Sequence, residues 1–188
     1  MRVFLAIELP EKSRRHLDRL CQHLRRPHDL AQSVSWVKRE NWHITLKFLG
    51  EVEDACIPEI TTALAAVQVH PMNLFADRMQ YFPKRGPVRV VSVGIGGDAG
   101  LLNHLHKHIE DALQPLGFPR EDRPYTAHIT FGRSRHGARR DDWMTLRAMK
   151  LETDFPGPSF TADQFVLVQS KLRPEGSEYT VAARFPPR

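Results

Sequence analysis

Two short stretches hold the residue types best suited to chemistry: HITLKFLG, beginning at His43, and HITFGRSR, beginning at His128. In an extended chain residues i and i+2 point to one side, roughly 6.5–7 Å apart. His43 and Thr45 therefore share a face, and so do His128 and Thr130. Ile44, Leu46, Ile129 and Phe131 take the opposite, apolar face. An imidazole gives or takes a proton near neutral pH, and a hydroxyl can donate to a phosphate oxygen. If both strands face one cleft, a neutral imidazole activates a nucleophile while a charged one protonates a leaving oxygen. The hydroxyls then hold the non-bridging oxygens and stabilise the charge that grows on them. Such a pair needs no metal. The bland alternative is a solvated strand face, and one H-x-T triplet would not exclude it. Two triplets with the same Ile, a following hydrophobic residue and a downstream Gly weigh against it.

The surrounding sequence predicts the elements that position these residues. Val3 to Leu9 reads as a buried strand. Pro10 opens a helix with Leu17, Leu20, Cys21 and Leu24 on one stripe, closed by RRPHD. Val34 to Val37 and His43 to Leu49 read as strands. Glu51, Glu53 and Asp54 precede a helix towards Gln68, where acidic residues suit the helix dipole as caps. Asn73 to Phe82 and Val88 to Val93 are strands joined by PKRGP. Asp98 is the expected N-cap of a helix to about Gln114. Thr126 to Gly132 is a strand, a basic loop leads to a helix around Trp143, and two strands close the chain across PEGS. Sequence-adjacent strand pairs favour antiparallel pairing and an α+β class.

A length of 188 residues fits one domain or two small lobes. With 41% hydrophobic and 26% charged residues the chain can build a core and lacks the profile of disorder. The net charge of +5 and a pI near 9.5 suit an anionic partner such as nucleic acid. Cys21 and Cys56 lack metal or disulfide spacing and are expected as buried thiols in a reducing compartment. No apolar run has the length of a signal h-region or a membrane span, so a cytoplasmic protein with no membrane partner is expected.

These residues resemble a known family. The 2H phosphoesterases are defined by two H-x-T/S-x motifs, and within them the chain is similar to the RNA 2′,3′-cyclic phosphodiesterases, also called 2′-5′ RNA ligases. RVFLAIELP, WHITLKFLGEV, YFPKRGPVRVVSVGI, RPYTAHITFGR and KLRPEGSEY carry the resemblance over most of the chain. It implies a bilobal α+β fold: two antiparallel β-sheets facing a central cleft, helices outside, residues 1–188 forming one domain of two pseudo-symmetric lobes. It also implies hydrolysis of RNA 2′,3′-cyclic phosphate ends, or of cyclic nucleotides, to 2′-phosphomonoesters by a monomer without metal or cofactor. The family pattern makes His43 the proton donor and His128 the proton acceptor, a choice the near-symmetric motifs leave open. The reverse joining of ends through a 2′-5′ link is expected to be minor in water. Many relatives have Pro before the second His; here Ala127 stands there. Rival readings are a phosphodiesterase for 2′-5′ oligonucleotides or ADP-ribose cyclic phosphate, and a binding module for RNA ends without turnover.

Thr45 and Thr130 are the expected phosphate ligands. Arg133 has the wrong strand parity to join them unless the strand bends at Gly132. Tyr125, Phe48 and Trp42 are candidates to stack a base, against a packing role. Arg135, Arg139 and Arg140 offer a basic loop for an RNA backbone. GIGGDAG fits a dinucleotide fingerprint but lacks the βαβ context and a ribose-binding acid, so a tight turn is expected. His104 and His108 have metal-like helical spacing but no third ligand, so an exposed face is expected.

Overall fold

The structure, a computed structural model, describes residues 1–26, 33–135, 140–148, 155–174 and 176–186. Its elements in chain order are β1 (Arg2–Glu8), α1 (Glu11–Arg25), β2 (Val34–Trp36), β3 (His43–Glu51), α2 (Ile57–Ala65), β4 (Met72–Phe82), β5 (Val90–Gly97), α3 (Ala99–Leu113), β6 (His128–Ser134), α4 (Arg140–Ala148), β7 (Phe160–Ala162), β8 (Phe165–Arg173) and β9 (Gly176–Phe185). The strand order is β7-β4-β5-β6-β3-β1-β8-β9, with β2 added beside β6. All of these neighbours pair antiparallel. The α+β class is as expected. The two expected sheets are halves of one hydrogen-bonded sheet, because the motif strands β3 and β6 meet at a single residue pair, Ile44 with Ile129.

The main core lies between this sheet and the helices. Leu17, Leu20, Cys21 and Leu24 form the buried stripe of α1, and Leu102, Leu105, Ile109 and Leu113 that of α3. They pack with Val3, Leu5, Ile7, Ile44, Leu46, Ile129 and Phe131, the apolar side of the strands. Burying a side chain of this size stabilises by about 1.5–3 kcal/mol before ordering costs, so the face opposite the motif histidines is strongly specified. A register slip of one residue would turn that face to water.

Several local expectations are corrected. Cys21 is buried but Cys56 is exposed, since it ends a 3-10 turn ahead of α2. The acidic cluster makes no side-chain cap; Asp54 instead lies 3.5 Å from the N-terminal amine. Asp98 holds the N-cap position of α3, but its carboxylate accepts the Asn73 N–H at 2.8 Å and so ties the helix start to β4. GIGGDAG is the tight passage expected: Gly97 has φ +99°, and a Cβ there would lie 2.1 Å from the Asn73 carbonyl oxygen. His104 and His108 are exposed, as expected. His28, His136, Arg139 and Glu175 lie outside the described residues, as does most of RRPHD.

Candidate active site

Antiparallel pairing of Ile44 with Ile129 sets the motif residues in a quadrilateral on the opposite face. His43 falls across from Thr130, and Thr45 across from His128. The imidazoles lie on a diagonal, a relation that in antiparallel strands spans about 7–8 Å.

Each imidazole is oriented in the same way. His43 Nδ1 lies 2.7 Å from the Asn41 carbonyl oxygen, and His128 Nδ1 lies 2.7 Å from the Thr126 carbonyl oxygen. A carbonyl only accepts, so both Nδ1 atoms carry a proton and Nε2 is left for chemistry. When His43 is neutral, the Thr45 hydroxyl donates to its Nε2 over 3.0 Å. Protonation of Nε2 reverses that bond and releases the hydroxyl proton to another acceptor. Phe4 and Tyr179 border the His43 ring, with centroids 4.8 and 5.5 Å away; Phe82 borders His128 at 5.1 Å. The approach to His43 is clamped by Arg14, which donates to the carbonyls of Leu9, Arg39 and Glu40.

Burial is the main cause that lowers the His43 pKa to about 4. The Asn41 hydrogen bond opposes it, while the positive charges of Arg14, His128 and Arg133 add to it. In the unliganded protein His43 is therefore neutral at pH 7. A bound anion would act in the opposite sense.

The motif strands share a second device. Ala6 pairs with Thr45 and Leu5 with Lys47, so Leu46 is an extra residue in β3. Ser92 pairs with Thr130 and Val91 with Gly132, so Phe131 is an extra residue in β6. A bulge of this kind reverses strand parity. It turns the fifth residue after each His, Phe48 and Arg133, back to the cleft, and both line it with His43, Thr45 and Thr130. This resolves the parity of Arg133. Gly132 is required where β2 crosses, since a Cβ there would lie 2.5 Å from Val34 Cγ1.

The cleft has a volume of about 840 Å³ and is lined largely from the His43 side, by β1, β3, β8 and β9. Arg135 joins it from beyond β6, and Ser35 to Lys38 from around β2. His128 stands at its margin, next to Thr130, and is not among its lining residues. Trp42 is in the core, packed on Phe131 at 5.2 Å. Tyr125 does not line the cleft either: its hydroxyl donates to the Thr45 carbonyl at 2.8 Å and its ring stacks on His106 at 4.1 Å. Burial pushes the Tyr125 phenol pKa up, which keeps it a donor. A segment leading to the second motif thereby braces the strand of the first.

Sequence reasoning missed a buried ion pair behind that strand. Lys47 and Glu110 are 2% and 4% exposed. Lys47 Nζ donates to Glu110 and to the Pro119 carbonyl, and the other Glu110 oxygen accepts the Glu121 N–H at 2.9 Å. The bulge turns Lys47 inward; at the matching position of β6 stands Gly132. A Glu beside the apolar stripe of α3 was the available signal. Arg2, Arg173 and Tyr179 of the cleft were also missed, because they come from strands remote in sequence. Among the described residues no group of three or more His, Cys, Asp or Glu is placed to hold a metal, and no helix is long and apolar enough to cross a membrane.

The chain that carries these two paired H-x-T strands belongs to the LigT-like phosphoesterase family, whose model matches residues 7–92 and again residues 95–179. Each match contains one motif. Among similar proteins is the RNA 2′,3′-cyclic phosphodiesterase of Methanocaldococcus jannaschii, 30% identical over 96% of this chain and 98% of the relative. The protein of the same name from Archaeoglobus fulgidus is 31% identical over 95% and 96%. The crystal structure of TT0787 of Thermus thermophilus superposes with a TM-score of 0.78 at 27% identity, covering 98% of this chain and 97% of that one.

Proposed function

We propose that this protein hydrolyses RNA 2′,3′-cyclic phosphodiester ends to 2′-phosphomonoesters, with His43 as proton donor and His128 as proton acceptor. The observation that carries the reading is the pair of imidazoles, each with Nδ1 bound to the carbonyl two residues upstream, flanking one cleft beside two threonines. The names of the relatives supply the substrate class. Chain duplication into two pseudo-symmetric lobes of one domain is supported by the double family match and the repeated bulge.

The asymmetry of the cleft supports this assignment of roles. Its volume lies on the His43 side, which is where a ribose and base have room. The leaving 3′ oxygen belongs to that ribose, so the group beside it is His43. Water reaches the phosphorus from the other side, where His128 is partly open to solvent. His128 Nε2 takes a proton from the water as its oxygen bonds to phosphorus. The bond from phosphorus to the 3′ oxygen breaks, and His43 Nε2 gives that oxygen its proton. Thr45 and Thr130 donate hydrogen bonds to the non-bridging oxygens, and Arg133 offsets their charge. His43 gains its proton with the substrate, since the phosphodiester anion offsets the burial that keeps the free imidazole neutral. A 5′-hydroxyl in place of water would give the reverse, 2′-5′ joining reaction, a minor path where water competes. All of these groups belong to one chain, so a monomer suffices, and no step calls for a metal.

The test uses 2′,3′-cyclic AMP and an RNA with a cyclic end, with and without EDTA. A 2′-phosphate product, unaffected by EDTA, is expected; a 3′-phosphate product or loss of activity in EDTA overturns the reading. His43→Ala and His128→Ala should each lose about 10²–10⁴-fold in rate. A substrate panel that includes 2′-5′ oligoadenylate and ADP-ribose cyclic phosphate separates the rival activities.

A further inference from the structure

The cleft face around His43 carries more apolar surface than a cyclic phosphate needs. Phe4, Ala6, Val166 and Val168, with Tyr179 against them, form an apolar cluster separate from the main core, and no helical residue belongs to it. Phe4, itself buried, meets the His43 ring at 4.8 Å, Tyr179 at 5.0 Å and Phe48 at 5.7 Å, so ring contacts run outward from the imidazole to the exposed Phe48. At its outer part Phe48 is 54% exposed, and Leu172, on the same side of β8 as Val166 and Val168, is 68% exposed. Both line the cleft, together with Arg2 and Arg173. Arg173 is held by an exposed pair with Glu178 at 3.3 Å.

In the described residues of the His128 half the aromatic contact is smaller: Phe82 meets the His128 ring at 5.1 Å, and Val90 stands at the place of Phe4. At the matching distance from the seam stand Ser92, whose hydroxyl is given to the Gln80 carbonyl, and Gly94. The Gln80 side chain lies over Gly94 so closely that a Cβ there would meet its Nε2 at 2.2 Å. Among the described residues that line the cleft, the exposed large apolar side chains, Phe48 and Leu172, lie on the His43 side, with Arg2 and Arg173 also lining it. That combination suits unpaired bases, which stack on aromatic faces, and the phosphates that join them. It does not suit a duplex, whose bases are already stacked on each other. A volume of about 840 Å³ is near the upper end of the range for single small-molecule sites.

We propose that this platform is a second subsite that binds the nucleotide preceding the cyclic phosphate, so that the preferred substrate is a single-stranded RNA end of at least two nucleotides. The proposal rests on the hydrolysis proposed above. The base of that nucleotide stacks on the part of the cleft wall that runs from Phe48 towards Leu172, and the internucleotide phosphate meets Arg2 or Arg173. The platform joins the cleft without a break, which makes an RNA chain entering that cleft its natural occupant.

The experiment compares kcat/KM for 2′,3′-cyclic AMP with that for ApA bearing a 2′,3′-cyclic phosphate, at one fixed salt concentration. Stacking of one added base is worth about 5- to 150-fold, so the dinucleotide should be preferred within that range, mainly through KM. Leu172→Asp and Arg173→Glu, both at exposed positions, should pull the ratio towards one. Thermal melts establish that the variants are folded. A wild-type ratio near one, or a ratio unchanged in both variants, overturns the subsite. So does a change of oligomeric state in Leu172→Asp with no change in the ratio, which would assign the face to a second copy of the chain. If neither substrate turns over, the proposed activity has failed, and the subsite is then judged by binding alone. Fluorescence anisotropy with labelled ApA 2′-phosphate, competed by 2′-AMP, should still give a preference that both variants remove; equal affinities would end the proposal.

Discussion

Replacing His43 by Gln should make the stability of this protein much less sensitive to acid. The His43 ring is confined between Phe4 and Tyr179, and burial holds its pKa at about 4, against about 6.5 in an unfolded chain. The unfolded state therefore binds the proton first as pH falls. Stability associated with the neutral imidazole is present above the unfolded pKa, is lost as pH drops from about 6.5, and levels off below about 4. For these two pKa values the loss between about pH 7 and pH 4.5 is about 2 kcal/mol. Gln retains a donor for the Asn41 carbonyl and does not titrate. Urea unfolding of both proteins at the two pH values gives the difference directly, since the other titrating groups are common to both. An equal pH dependence in wild type and variant, or a His43 ring that titrates near 6.5 by NMR, would refute the link between burial and the neutral resting state.

Glu110→Ala leaves the Lys47 charge buried without its partner and should cost about 3–5 kcal/mol in urea unfolding, while Lys47→Met with Glu110→Leu should recover much of it. Tyr125→Phe removes the donor to the Thr45 carbonyl, with an expected loss of about 1–3 kcal/mol, and should lower kcat more than it raises KM. Gly97→Ala sets a methyl against the Asn73 carbonyl at a positive φ and should lower the melting temperature without altering the pH profile of turnover.

The period-2 reading of HITLKFLG and HITFGRSR was sufficient to separate Ile44, Leu46, Ile129 and Phe131 from the residues facing the cleft, because alternation is a local property of an extended chain. Arg133 was beyond it. The bulge at Phe131 exists only in the pairing of β6 with β5, and a bulge leaves no local signature unless the two motifs are aligned. Aligned, they set Lys47 against Gly132 and Phe48 against Arg133, and the contrast between an inward fourth residue and a cleft-facing fifth one becomes visible. Tyr125 read as a base-stacking candidate because aromatic residues near a motif invite that role, but its position depends on contact with α3 and β3, elements remote in sequence. Cys56 failed as a buried thiol for a simpler reason. The apolar stripe of α2 begins only at Ile57, and Ile60 and Leu64 are its buried residues.

The pairing of β1 with β8 joins residues 2–6 to residues 166–170, across nearly the whole chain. The His128 half is built from β4 to β7, a nearly continuous stretch, with β2 added from earlier in the chain, whereas the His43 half cannot close until the last two strands exist. During synthesis the chain therefore carries both motifs well before it can assemble the platform beside His43. Until β8 arrives, β1 presents an unpaired edge whose residues Val3 to Ile7 are apolar on both faces, the kind of edge that recruits other chains. A truncation before residue 165 is accordingly expected to aggregate, which a comparison of soluble yield with the full chain checks. The C-terminal hairpin is as much a safeguard of biosynthesis as a wall of the cleft.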